Sequence, residues 1–162
     1  MSLYKNRYRI ESTRMKDWDY SSNGYYFITI CTKYRKHLFG EINNGRMILS
    51  EIGGIAFQYW QEIPNHFLSV QLDKFEIMPD HMHGIIIIGS HGAQSPNLGI
   101  IINQYKRKCT IESRKIDPHF EWLPRYHDHI IRNNGELNRI QEYIQNNPLN
   151  WEEDNLYTGS HL

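Results

Sequence analysis

Apolar residues change period along this chain, and the changes mark its elements. An Asn23-Gly24 turn signal precedes Tyr25 to Thr32, a run dense in β-branched and aromatic residues that predicts a strand. Leu38 to Asn43 and Arg46 to Leu49 flank Asn44-Gly45, the pattern of a hairpin. The period then lengthens. Ile52, Ile55, Ala56, Tyr59, Trp60 and Ile63 recur at helical spacing behind Ser50, a plausible cap, and Pro64 is expected to end that helix. Strands are predicted at Val70 to Met78 and His81 to Ile88, running antiparallel on either side of a Pro79-Asp80 break. Residues 89–97 read as a flexible loop, and Leu98 to Ile116 as a helix ended by Asp117-Pro118. A short strand at Tyr126 to Ile131, a turn at Asn133-Asn134-Gly135 and a last helix from Glu136 to Asn147 complete the order. Helices scattered among antiparallel strands make this an α+β chain. One domain of residues 1–162 is expected, with an N-terminal arm (1–20) and a C-terminal tail (150–162) that packs through Trp151.

Within this order, Met78-Pro79-Asp80-His81-Met82-His83-Gly84 runs straight into Ile85-Ile86-Ile87-Ile88. A strand alternates its side chains between two faces, so His81 and His83 share one and Met82 points to the other. The unbroken isoleucines suit a strand covered on both sides. Two imidazoles at the mouth of a rigid strand are either packed, half-buried histidines or a preorganised pair of metal ligands. On the last helix, Leu137, Ile140 and Ile144 form the buried stripe, with Glu136, Tyr143 and Asn147 beside it. Tyr143 and Asn147 lie one turn apart. With the histidines they suggest two imidazoles and an amide oxygen around an ion, and a phenol close by. His127-x-His129 is a second pair of the same kind and a rival site, although no tyrosine stands one turn from it.

Composition narrows the partners. The 162 residues are 40% hydrophobic and 22% charged, which is globular. Cys31 and Cys109 match no metal or redox spacing, which favours a reduced, cytoplasmic setting. Met1 to Lys16 holds no apolar run, and Ile85 to Ile88 is far too short to span a bilayer, so no membrane is expected. Formal net charge is zero, yet residues 1–36 carry eight Lys or Arg against three acids. Gln104 to Lys115 is basic too, so a neutral protein can still show one basic face.

The three blocks Met78-Pro79-Asp80-His81-Met82-His83, Tyr126 to Asn133 and Tyr143-Ile144-Gln145-Asn146-Asn147-Pro148 resemble, in order and spacing, the single-tyrosine HUH transposases. That family includes insertion-sequence transposases acting on single-stranded DNA and REP-associated tyrosine transposases. The resemblance covers about Tyr25 to Trp151 and implies a ferredoxin-like α+β domain with an antiparallel sheet backed by helices. It implies that His81, His83 and Asn147 hold a divalent metal, Mg²⁺ or Mn²⁺, and that Tyr143 is the nucleophile. It further implies cleavage and rejoining of single-stranded, hairpin-containing DNA through a 5′-phosphotyrosine, by a monomer or by a homodimer with the tyrosine supplied in trans. Asp80 departs from the family pattern, where many relatives carry asparagine. A neutral chain would hold DNA through local basic patches and stacking on unpaired bases. Lys106, Arg107, Arg132 and His129 are the expected DNA contacts. The alternative is a non-catalytic binder of structured nucleic acid on the same fold.

Overall fold

The computed structural model describes residues 24–89 and 96–151, so the expected arm (1–20), most of the 89–97 loop and all of the tail beyond Trp151 lie outside the described residues. Among the described residues, six strands and three of four α-helices follow the expected order, with the short α2 additional: β1 Gly24–Cys31, β2 Gly40–Asn43, β3 Arg46–Leu49, α1 Glu51–Gln61, α2 Ile63–His66, β4 Val70–Met78, β5 His81–Ile88, α3 Leu98–Ser113, β6 His127–Ile131 and α4 Asn134–Asn146. A tight turn at Lys33–Arg35 follows β1. The four-stranded sheet has the order β4-β5-β1-β6, and the β2–β3 hairpin is a separate two-stranded sheet. Every neighbouring pair is antiparallel. With α1 crossing from β1 to β4 and α3 from β5 to β6, this is the ferredoxin-like arrangement.

Strand ends differ from the sequence reading by one or two residues, and three helix boundaries differ as well. Pro64 does not end α1. It sits in the first turn of α2, where its missing N–H costs no helical bond. Helix α3 stops at Ser113 and continues only as turn. Helix α4 starts at Asn134, because the Asn133 side chain accepts a hydrogen bond from the Glu136 N–H and caps it.

Strand alternation divides the core in two. On one face Tyr26, Ile28, Met82 and Ile86 pack under α1 and α3, where Trp60 meets Tyr105 edge-on at 5.1 Å and the Tyr105 hydroxyl donates to Ala56 O. Gly84 opens this face. A Cβ there would stand 2.5 Å from Phe75 Cβ and 3.1 Å from the Trp60 indole, so only glycine lets the indole lie against β5. On the other face Phe27, Ile85 and Ile131 receive Ile140 and Ile144 of α4, with Leu137 partly buried beside them. That small cluster seats the last helix. Replacing fully buried Ile140 with alanine should cost about 2–5 kcal/mol, read by urea unfolding, since few other apolar residues hold α4 to the sheet.

Candidate active site

The second face of the sheet, the one covered by α4, also carries the histidines. Pairing of β5 with β1 sets His81 opposite Cys31 and His83 opposite Thr29. Both rings are buried, with centroids 5.1 Å apart and nearly perpendicular. His81 Nδ1 donates to Asp80 Oδ1 at 2.8 Å, and Arg35 Nε donates to Asp80 Oδ2 at 3.0 Å. Burial alone would raise the Asp80 pKa, but the bonds from His81 and Arg35 hold its carboxyl below the usual range. An imidazole that keeps its proton on Nδ1 presents the Nε2 lone pair outward.

The backbone that delivers Arg35 is strained. Tyr34 and Arg35 both adopt left-handed φ, 60° and 53°, which non-glycine residues rarely do. Several bonds hold the turn in place. The Thr32 N–H donates to Asp80 O at 3.0 Å, the Arg35 N–H to Thr32 O at 3.1 Å, and Thr32 Oγ1 lies 2.8 Å from Lys36 O. Burial first, and then the adjoining His81 ring, holds His83 well below the usual imidazole range, so it is neutral near pH 7. Its Nε2 is buried and has no hydrogen-bond partner among the described residues.

Tyr143 comes to this pair from α4. Its ring centroid lies 5.4 Å from that of His83, and it meets Phe27 edge-on at 6.3 Å. About a third of the residue is exposed (36%), which leaves it open to a ligand. Asn147, one turn further, is the buried C-cap of the helix. Histidines and phenol thus converge within a single chain.

The sequence profile of the IS200-like transposases matches residues 20–147. The chain belongs to the IS200-like transposase family. An uncharacterised protein of Haemophilus influenzae is 39% identical over 165 aligned residues, covering 90% of this chain and 92% of its own. Among solved structures, a REP-associated tyrosine transposase bound to a REP hairpin superposes with a TM-score of 0.64 at 17% identity. That match covers 85% of this chain and 74% of the other. A candidate transposase from Deinococcus radiodurans gives 0.51 at 18% identity, covering 82% of this chain and 95% of its own. At such identities the likeness is one of fold.

The remaining site residues of this transposase fall in different places. His129 was expected to touch DNA. It is buried, and its Nε2 bonds to Glu136 Oε2 at 2.6 Å, so His129 helps dock α4. Glu136 Oε1 also accepts the Arg132 N–H at 2.8 Å. Lys106 and Arg107 lie on α3, whose buried side packs on the opposite face of the sheet from the histidines. Lys106 spans to Leu123 O and Arg125 O, and burial lowers its pKa to about 8. Arg107 is exposed, and Arg132 is exposed where the chain enters α4.

The sequence reading placed Glu136 beside the buried stripe of the last helix, but the bonding roles of Arg35 and Glu136 escaped it. Asn133-x-x-Glu136 has the spacing of a capping box, a signal for the helix end but not for the bond to His129. No local pattern links Arg35 to a residue 45 positions away.

The residues suit a divalent ion in kind. One imidazole is oriented by a carboxylate, the other has an orphaned buried nitrogen, and an amide lies near the tyrosine. No group of three or more His, Cys, Asp or Glu side chains able to hold a metal occurs among the described residues.

The bonds from Arg132 and His129 outweigh the burial of Glu136 and keep its pKa below the ordinary carboxylate value. A carboxylate lowered in the folded state adds stability above its unfolded pKa and loses it as pH falls through the folded one. Glu136→Gln should therefore flatten the acid limb of the melting-temperature profile below about pH 4.5 and lower the melting temperature at neutral pH. An unchanged acid limb in thermal melts would show that this pair does not hold α4.

Proposed function

We propose that this chain cleaves and rejoins single-stranded, hairpin-containing DNA, with Tyr143 as nucleophile and a divalent ion held by His81, His83 and Asn147. The observation that carries the reading is the 5.4 Å approach of the Tyr143 ring to the His83 ring, which supports a site built from these residues of one chain. Family membership supports it, since a transposase must break and re-form phosphodiester bonds. The REP-associated relative bound to a REP hairpin supports a DNA hairpin as partner. No described helix is long and apolar enough to cross a membrane.

The chemistry follows from the residue types. The Tyr143 oxygen attacks the scissile phosphorus. A Tyr–O–P bond forms as the P–O3′ bond breaks, so one strand leaves with a 3′-hydroxyl and the other stays attached through its 5′-phosphate. Bond energy is conserved in the phosphotyrosine, and a 3′-hydroxyl can later attack it to rejoin a strand. When bound, Mg²⁺ or Mn²⁺ offsets the charge that builds on a non-bridging phosphate oxygen, with Mn²⁺ the better match to two nitrogens. The chain's own part is orientation. Phe27 and His83 hold the phenol edge-on, and the Ile140–Ile144 seat fixes the helix that carries it. Asp80, anchored by Arg35, keeps the His81 proton on Nδ1.

Incubation with single-stranded hairpin oligonucleotides in Mg²⁺, Mn²⁺ or EDTA should give a covalent protein–DNA band on denaturing gels that EDTA abolishes. Tyr143→Phe should remove the band and leave binding intact. An adduct of undiminished yield from that variant rules out this nucleophile, and binding without any adduct under all three conditions favours a non-catalytic binder. Asp80→Ala should weaken Mn²⁺ binding by about 10–100-fold in a calorimetric titration, while Asp80→Asn, which retains an acceptor oxygen, should lose much less. Equal affinities in the two variants would mean that Asp80 does not orient His81.

A further inference from the structure

The same strained turn that points Arg35 inward turns Tyr34 outward. Tyr34 is 77% exposed, its φ is 60°, and the Lys33 ammonium lies 5.4 Å from its ring centroid. Left-handed backbone at a bulky residue costs on the order of 1–3 kcal/mol and persists only where its surroundings dictate it. Glycine would adopt this φ without strain, and a tyrosine this exposed adds little packing in return. The inward side of the turn explains why the backbone bends, but not why an aromatic ring sits at its tip.

Charge around the tip is predominantly positive. Lys33, Arg35 and Lys36 flank Tyr34, and an open cleft of about 320 Å³ beside Lys36 is lined by Arg114, His119, Pro118 and Glu121. Glu121 is neutralised by Lys33 at 3.0 Å, and Asp80 is occupied by Arg35 and His81. Arg114 is fixed in the cleft wall by its Nε donating to Phe120 O at 2.9 Å. An exposed aromatic face among cations is the combination that holds an unpaired nucleobase by stacking and its phosphates by charge. The position fits as well: Tyr34 is the chain neighbour of Arg35, which is hydrogen-bonded to the carboxylate that orients His81.

We infer that Tyr34 is a stacking platform for an unpaired base of the single DNA strand leading to the histidine site, with Lys36 and Arg114 contacting the adjoining phosphates. This subsite rests on the proposed function, because it presumes a single-stranded substrate.

The test compares a hairpin carrying a short single-stranded tail with the same hairpin lacking it. Binding is measured in EDTA, with 2-aminopurine placed at successive positions of the tail. The unaltered protein should prefer the tailed oligonucleotide and quench one 2-aminopurine position. Tyr34→Ala and Tyr34→Gly should each lose about tenfold in affinity for the tailed oligonucleotide, with the quench, and bind the untailed hairpin as before. Tyr34→Phe and Tyr34→Trp should keep both. Tyr34→Gly should melt no lower than the unaltered protein, because it relieves the left-handed strain. Undiminished tail affinity in Tyr34→Gly overturns the subsite alone. Failure of the unaltered protein to bind any single-stranded DNA overturns the proposed function and the subsite with it.

Discussion

Side-chain alternation along β5, an inner strand of the sheet, is the constraint on which the rest depends. Because it is flanked by β4 and β1, its residues have only two directions in which to point. Met82 and Ile86 enter the larger core with Gly84 between them, while His81, His83 and Ile85 face α4. A slip of one residue would exchange the two sets, burying imidazoles under Trp60 and exposing methionine and isoleucine to the tyrosine helix. The register is therefore held by the apolar core, and the polar site inherits its precision from that core.

Two buried carboxylate–imidazole pairs stand on this frame with different tasks. Asp80–His81 orients a ring whose other nitrogen stays available, and Glu136–His129 fastens the helix that brings the tyrosine. Each carboxylate is desolvated, and each is compensated by a further donor, Arg35 Nε in one case and the Arg132 N–H in the other. Without those donors, burial would push both carboxyls toward protonation and the pairs would weaken. The chain thus uses the same chemical unit once to present a group and once to immobilise one.

A neutral transposase must hold a polyanion through local charge. On the proposed reading the basic segment after β1 would provide it, since Lys33, Arg35 and Lys36 emerge from one turn. Two of these cations are engaged, by Glu121 and by Asp80, so they also hold the turn's shape. The sequence also points to Lys106 and Arg107, on the basic stretch of α3, for DNA contact. Lys106 is instead half-buried and committed to backbone carbonyls on the other side of the sheet.

Much of the architecture was legible in residue order. Periods of two and of 3.6 marked the strands and helices, and the shared face of His81 and His83 and the one-turn spacing of Tyr143 and Asn147 followed from backbone geometry alone. The two His-x-His pairs, however, are equivalent as patterns. Only the packed fold shows Glu136 capturing His129 while the first pair keeps a nitrogen open, and only it joins Arg35 to Asp80 across 45 residues. The reason is range. Pleat and helix pitch act over a few residues and can be read from spacing. Which faces meet depends on how the whole chain buries its apolar surface, and that decided which histidines the tyrosine would reach.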